Sequence, residues 1–160
     1  MKTRARFAAL GLGALAAASV CAPYAQAFSQ ASRERTGSAA RDQASAAWQA
    51  SYTAEAAGKL ELALAALDEL PGPARAGYLA QFRRGWLQYR LGSYADSVTS
   101  YRSAVSQAPS AIEARVGLQL PLMALAKWQE LTQVAEEVLG LDPEKYLNQQ
   151  RLEIGKVKLE

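Results

Sequence analysis

Carboxylates, amines and phenols are the reactive groups this chain offers, because its 160 residues include no histidine and a single cysteine, Cys21. Without imidazole, Ser-His and Cys-His nucleophilic pairs cannot be assembled, and the common zinc, copper and haem ligand sets are missing. No intrachain disulfide can form, so stability rests on packing. Carboxylates alone could still cleave a glycoside, one glutamate acting as the acid. Glu55 and Glu113 are the acids that fall on the predicted inner face, yet neither stands in a recognisable catalytic signature, and Glu136-Glu137 reads as an exposed face. The expectation is no enzyme, no cofactor and no metal, with a carboxylate-based cell-wall glycan hydrolase as the alternative.

Residue types that recognise are better represented than types that react. Trp48, Gln49, Tyr52 and Glu55 share one predicted helical face; Phe82, Arg83, Trp86, Tyr89 and Arg90 share a second; Glu113, Leu120 and Met123 share a third. Trp, Tyr and Arg combine large contact area with directed hydrogen bonds and are enriched at binding hot spots. Aromatic stripes at helical spacing are more often core, and that is the first reading for Trp48, Phe82 and Trp86, with Tyr89 balanced between core and groove. Arg83, Arg84 and Arg90, joined by Arg75 and Arg115, form the densest basic group. It reads first as a solvated face and second as a grip for an acidic peptide.

The N-terminus reads as an export address. Lys2, Arg4 and Arg6 precede an apolar stretch, Phe7 to Val20, and Ala25-Gln26-Ala27 supplies the small residues signal peptidase needs, so cleavage is expected between Ala27 and Phe28. The stretch is short and broken by Gly11 and Gly13, which suits a cleaved signal better than a membrane anchor. Cys21 invites a lipoprotein reading, but Ala18 and Val20 stand where such signals carry leucine and a small residue. Membrane contact is expected only if Cys21 is lipidated. The address also holds the charge: the chain is formally +3, and Lys2, Arg4 and Arg6 account for all of it, since residues 1–27 contain no acid. The mature chain sums to zero, which gives no ground for a nucleic-acid partner.

Residues 28–40 are small and polar and read as a flexible linker. Beyond them helix-period stripes predict helices near 41–57, 60–70, 75–91, 94–107, 111–125, 128–139 and 144–158. Gly58 and Gly92 suit left-handed helix ends, and Pro71-Gly72-Pro73 breaks the chain. Ser110 with Glu113 forms a capping-box pattern, Asp142 before Pro143 fits a helix start, and Pro121 is expected to kink its helix.

These elements repeat. Gly58-Lys59-Leu60, Gly92-Ser93-Tyr94 and Ala126-Lys127-Trp128 stand 34 residues apart, as do Trp48, Phe82 and Val116, then Tyr52, Trp86 and Leu120, then Ala63, Ser97 and Leu131, and Pro109 with Pro143. A two-helix unit of this length resembles the tetratricopeptide repeat. The middle unit, about 78–111, carries most of the likeness through Gly85, Gly92, Tyr94, Ser97, Tyr101, Ala104 and Pro109. The first, about 44–77, keeps Gly58, Ala63 and Leu67, and the third, about 112–145, keeps Trp128, Ala135 and Pro143. The resemblance implies an all-α right-handed superhelix of three hairpins over 41–160, closed by a single helix at 144–158, whose concave face holds a protein or peptide partner. Gln81, Arg84 and Gln88 depart from it by occupying normally buried positions. The Lys/Asn pairs with which some members clamp a terminal carboxylate are missing. The expected role is a periplasmic interaction scaffold, with a self-associating structural module as a further alternative.

Overall fold

The computed structural model describes the backbone of residues 18–144 and 146–159, and the side chains of 36–144 and 147–159. It divides into two compact units, Met1–Ala39 and Ala40–Glu160. The first unit is helical from Ala18 onward, within α1 (Ala18–Ala56). Lys2, Arg4, Arg6 and most of the apolar run lie outside the described residues. Residues 28–40 are helix where composition predicts an irregular linker. Alanine, glutamine, arginine and glutamate are good helix formers, and no proline stands between Pro23 and Pro71 to break the ladder. No described helix is long and apolar enough to cross a membrane.

In the second unit the chain continues along α1 from Ala40, then forms α2 (Leu60–Ala65), which tightens into a 3-10 turn at Ala66–Glu69, and a short α3 (Gly72–Ala76). Next come α4 (Tyr78–Arg90), α5 (Tyr94–Gln107), α6 (Ile112–Ala124), α7 (Trp128–Leu141) and α8 (Tyr146–Leu159). Each helix from α4 onward packs on the next, and α4 also touches α2 and α6. This neighbour-on-neighbour order marks a stacked repeat, in which no hairpin buries its apolar face alone. Among the described residues there is no strand.

Sequence-level punctuation explains the joints. Gly58 and Gly92 take positive φ of 73° and 79°, and Ala126 takes 54° at the equivalent place. After each, an amide reaches back to a carbonyl in the last helical turn: Lys59 to Ala54, Ser93 to Gln88 and Lys127 to Leu122, all at 2.9 Å. The predicted helix at 75–91 starts later, at Tyr78, because Gly77 is extended. The Ser110 capping box does not form. An Ala111-to-Ala108 amide bond turns the chain just before α6, whose N-cap is Ala111, and no side chain caps the helix. Helix α6 runs on through the buried Pro121 to Ala124.

Two apolar clusters form the spine. One gathers Ala47, Ala63, Leu67, Leu70, Ala80 and Leu87; the other gathers Val98, Tyr101, Leu118, Leu122 and Leu131. Tyr101 organises the second, with its ring against Gly85 of α4 and Gly117 of α6. A Cβ at Gly85 would lie 2.8 Å from that ring, and one at Gly117 would lie closer still. Glycine is needed here for close approach, since both helices would have to part for a methyl group.

Candidate functional site

The first helices of successive hairpins present one aromatic face. On α1, Trp48 and Tyr52 are a helical turn apart and their rings stack at 6.3 Å. With Leu79, Phe82, Arg83 and Trp86 of α4 they line a cavity of about 440 Å³. A second cavity of about 310 Å³ lies between α4 and α6, lined by Phe82, Trp86, Glu113, Val116, Gly117 and Leu120 among others. Phe82 and Trp86 belong to both, so the two cavities form one strip. Tyr52 is 57% exposed and Leu79 66%.

Charge is concentrated at the α1–α4 end. The Glu55 carboxylate accepts bonds from Trp86 Nε1, Arg90 Nη1 and Arg83 Nη1, each at 2.9 Å. Arg83 also donates from Nε to Ser51 Oγ at 2.9 Å, and that hydroxyl donates to the Ala63 carbonyl at 2.7 Å. The guanidinium lies 3.7 Å from the centre of the Tyr52 ring. Its remaining nitrogen, Nη2, is buried and has no acceptor. Burial pushes the Glu55 carboxyl upward, but bonds from Trp86, Arg83 and Arg90 and the Arg83 charge outweigh it and hold the group below its ordinary value. A carboxylate so held stays ionised, which does not suit the general-acid role considered for Glu55. Glu113 is exposed, and after burial its charge is the next cause raising the Tyr78 phenol. Among the described residues no three His, Cys, Asp or Glu side chains converge as a metal site requires.

Several sequence expectations are refined here. Arg83, read first as part of a solvated face, is only 7% exposed, because Ser51 and Glu55 from α1 engage two of its three nitrogens. Arg84 pairs with Asp68 at 2.8 Å, and Arg90 is exposed. Gln81 donates to the Arg75 carbonyl, and the Gln88 amide lies 2.7 Å from the Ser100 hydroxyl. These bonds let polar residues occupy the positions flanking the aromatic stripe. Trp48 and Phe82 pack on the core clusters and also line the strip; Trp86 is 36% exposed. Tyr89 sits between Trp86 and Tyr94 at 6.2 and 5.7 Å. Met123 is half-buried and packs against the Tyr101 cluster, and Gln49 is exposed.

The expected groove residues left out Leu79, which falls on the apolar stripe of α4 with Phe82 and Trp86, and sequence reasoning missed Ser51 and a second buried polar knot. Arg151 of α8 donates to Gln119 Oε1 at 2.7 Å and to the Val116 carbonyl at 3.1 Å, and Gln119 donates to Asn148 Oδ1 at 2.7 Å. Burial depresses the Arg151 guanidinium, partly offset by Tyr89. The signal was available: Arg83 to Ser51 and Arg151 to Gln119 each span 32 residues, and the two pairs are two repeats apart.

No family model and no curated protein sequence matches the chain. Solved structures do. The first TPR of Spaghetti (RPAP3), bound to the HSP90 peptide SRMEEVD, superposes with a TM-score of 0.65 at 19% identity, covering 74% of this chain and 96% of that one. The second TPR domain of human RPAP3, in complex with the HSP70 peptide SGPTIEEVD, gives 0.64 at 22%, covering 73% and 98%. At such identities the likeness lies in architecture, and the repeat resemblance read from Gly58, Gly92, Tyr101 and Pro109 meets it from the side of sequence. The chain has the tetratricopeptide-repeat fold: three stacked helical hairpins and a terminal helix.

Proposed function

We propose that this protein is a non-catalytic adaptor of the bacterial cell envelope, exported to the periplasm, which holds a segment of a partner protein along the α1–α4–α6 strip. One observation carries the reading: two cavities joined through Phe82 and Trp86 present exposed aromatic and aliphatic side chains on rigid helices. A preformed apolar trough binds with little ordering cost of its own. Structural neighbours in complex with peptides support the choice of a peptide over a small substrate. The engagement of Glu55 supports an adaptor over a glycosidase. Export rests on Lys2, Arg4 and Arg6, the apolar run and Ala25-Gln26-Ala27.

The test is site-specific photocrosslinking in intact cells. A photoreactive residue at Leu79 should yield a discrete adduct, whereas one at the exposed Thr99 of α5 should not. The exported protein should begin at Phe28 by N-terminal sequencing. Equal adducts from both positions would defeat the groove, and an unprocessed cytoplasmic protein would defeat the localisation.

A further inference from the structure

Arg83 is an anomaly in a groove of aromatic rings. It is nine-tenths buried, it lines the larger cavity, and its Nη2 lacks an acceptor. A buried donor left unpaired is costly, the more so when it is charged. The charges around it also fail to balance. Arg83 and Arg90 share a single carboxylate, Glu55, while Arg84 is taken by Asp68. One positive charge is left over at the α1–α4 end of the strip.

Resting on the adaptor reading, we infer that this end of the groove takes a partner segment in which a bulky apolar side chain stands next to an aspartate or glutamate. The apolar group enters the cavity between Trp48, Tyr52, Leu79, Phe82 and Trp86, and the carboxylate accepts from Arg83 Nη2. One carboxylate neutralises the surplus; a phosphate would overshoot it. A segment lying along the strip presents its side chains to the buried Nη2, so the acid belongs to a side chain and not to a chain end. Tyr52 lies across the face of the guanidinium at 3.7 Å and is itself 57% exposed, so this ring can move aside as the partner's side chain enters. Glu113 is the other acid on the strip and lines the adjacent cavity, which places the favourable field for an anion at the Arg83 end.

The experiment is selection of the whole exported protein against displayed random peptides flanked on both sides by constant sequence, so that no free carboxyl terminus is offered. Enriched peptides should carry Asp or Glu within two positions of Phe, Trp, Leu or Met. A synthetic winner should lose about tenfold in affinity when its acid becomes the isosteric amide, as expected for one charge-assisted hydrogen bond. Arg83→Met should erase that gap between acid and amide. Should Arg83→Met fail to fold by circular dichroism, Arg90→Gln, at an exposed side chain, should narrow the same gap. Apolar peptides enriched without an acid preference, or a gap that survives these substitutions, would overturn this inference and leave the adaptor reading standing. Selection that enriches nothing would overturn both.

Discussion

The junctions between successive first helices solve one packing problem in two ways. Between α1 and α4 the facing positions are Ser51 and Arg83, joined by a hydrogen bond. Between α4 and α6 the equivalent positions, one repeat on, are Gly85 and Gly117, and the Tyr101 ring fills the space they leave. Between α6 and α8 the polar solution returns as Gln119 and Arg151. On the second helices, Leu67 stands one repeat before Tyr101 and Ala135 one repeat after, and all three are fully buried or nearly so. A repeat therefore fixes position without fixing chemistry. An aromatic wedge between glycines makes a rigid, uncharged junction, while a buried arginine makes one that faces the groove with unspent hydrogen-bonding capacity.

The wedge should be the more brittle of the two. Gly117→Ala drives a methyl group into the Tyr101 ring from a helix backbone that cannot yield, and should destabilise the protein by about 3 kcal/mol or more in urea unfolding. Combining it with Tyr101→Leu, which copies the residue at Leu67, should recover part of that loss, because the two changes share one space. A Gly117→Ala protein as stable as the parent would show that the wedge is not tight.

The polar junction should respond to charge and to pH. Glu55→Gln leaves the Arg83 guanidinium buried without its counter-ion. With Glu55 itself partly open to solvent, a loss of about 2 kcal/mol is expected, below the range for fully buried pairs. Since folding lowers the Glu55 value, its contribution is complete above the ordinary glutamate range, about pH 4.3, and fades as pH falls through the lower folded value. Parent and Glu55→Gln stabilities should therefore converge in acid and separate at neutral pH. A constant difference across that span would mean that Glu55 is not held as an anion by Arg83, Arg90 and Trp86.

How much of this was legible in the sequence follows the same division. The wedge was half visible: Gly85, Tyr101 and the 34-residue spacing stand in one repeat and need only periodicity to be found. The burial of Arg83 was not, because it depends on Ser51 and Glu55 from the preceding hairpin, and an isolated arginine defaults to solvent. Residues 28–40 lack an apolar stripe, which hides a helix from periodicity even where propensity favours one. The Ser110–Glu113 pattern failed because the chain turns at Ala108–Ala111, one residue away from where the cap would have to be. Met123 went to the core because a helix of this apolar content has more hydrophobic faces than one stripe identifies.

The smallest expected effect tests the hairpin turns, which are alike in geometry and unlike in residue. Gly58 and Gly92 enter the left-handed region without a Cβ, whereas Ala126 enters it at φ 54° with one. All three keep the same reach-back bond at 2.9 Å, so hydrogen bonding does not explain the difference. The steric penalty for an L-residue there is about 1–2 kcal/mol, and glycine's greater freedom in the unfolded chain returns part of any gain. Ala126→Gly should thus stabilise by about 0.5–1 kcal/mol, while Gly92→Ala should destabilise by about 1 kcal/mol. Opposite signs at equivalent turns, measured by denaturant midpoint with an unchanged slope, would establish that backbone strain at Ala126 is real; a loss at both would mean that the Ala126 methyl contributes packing that outweighs it.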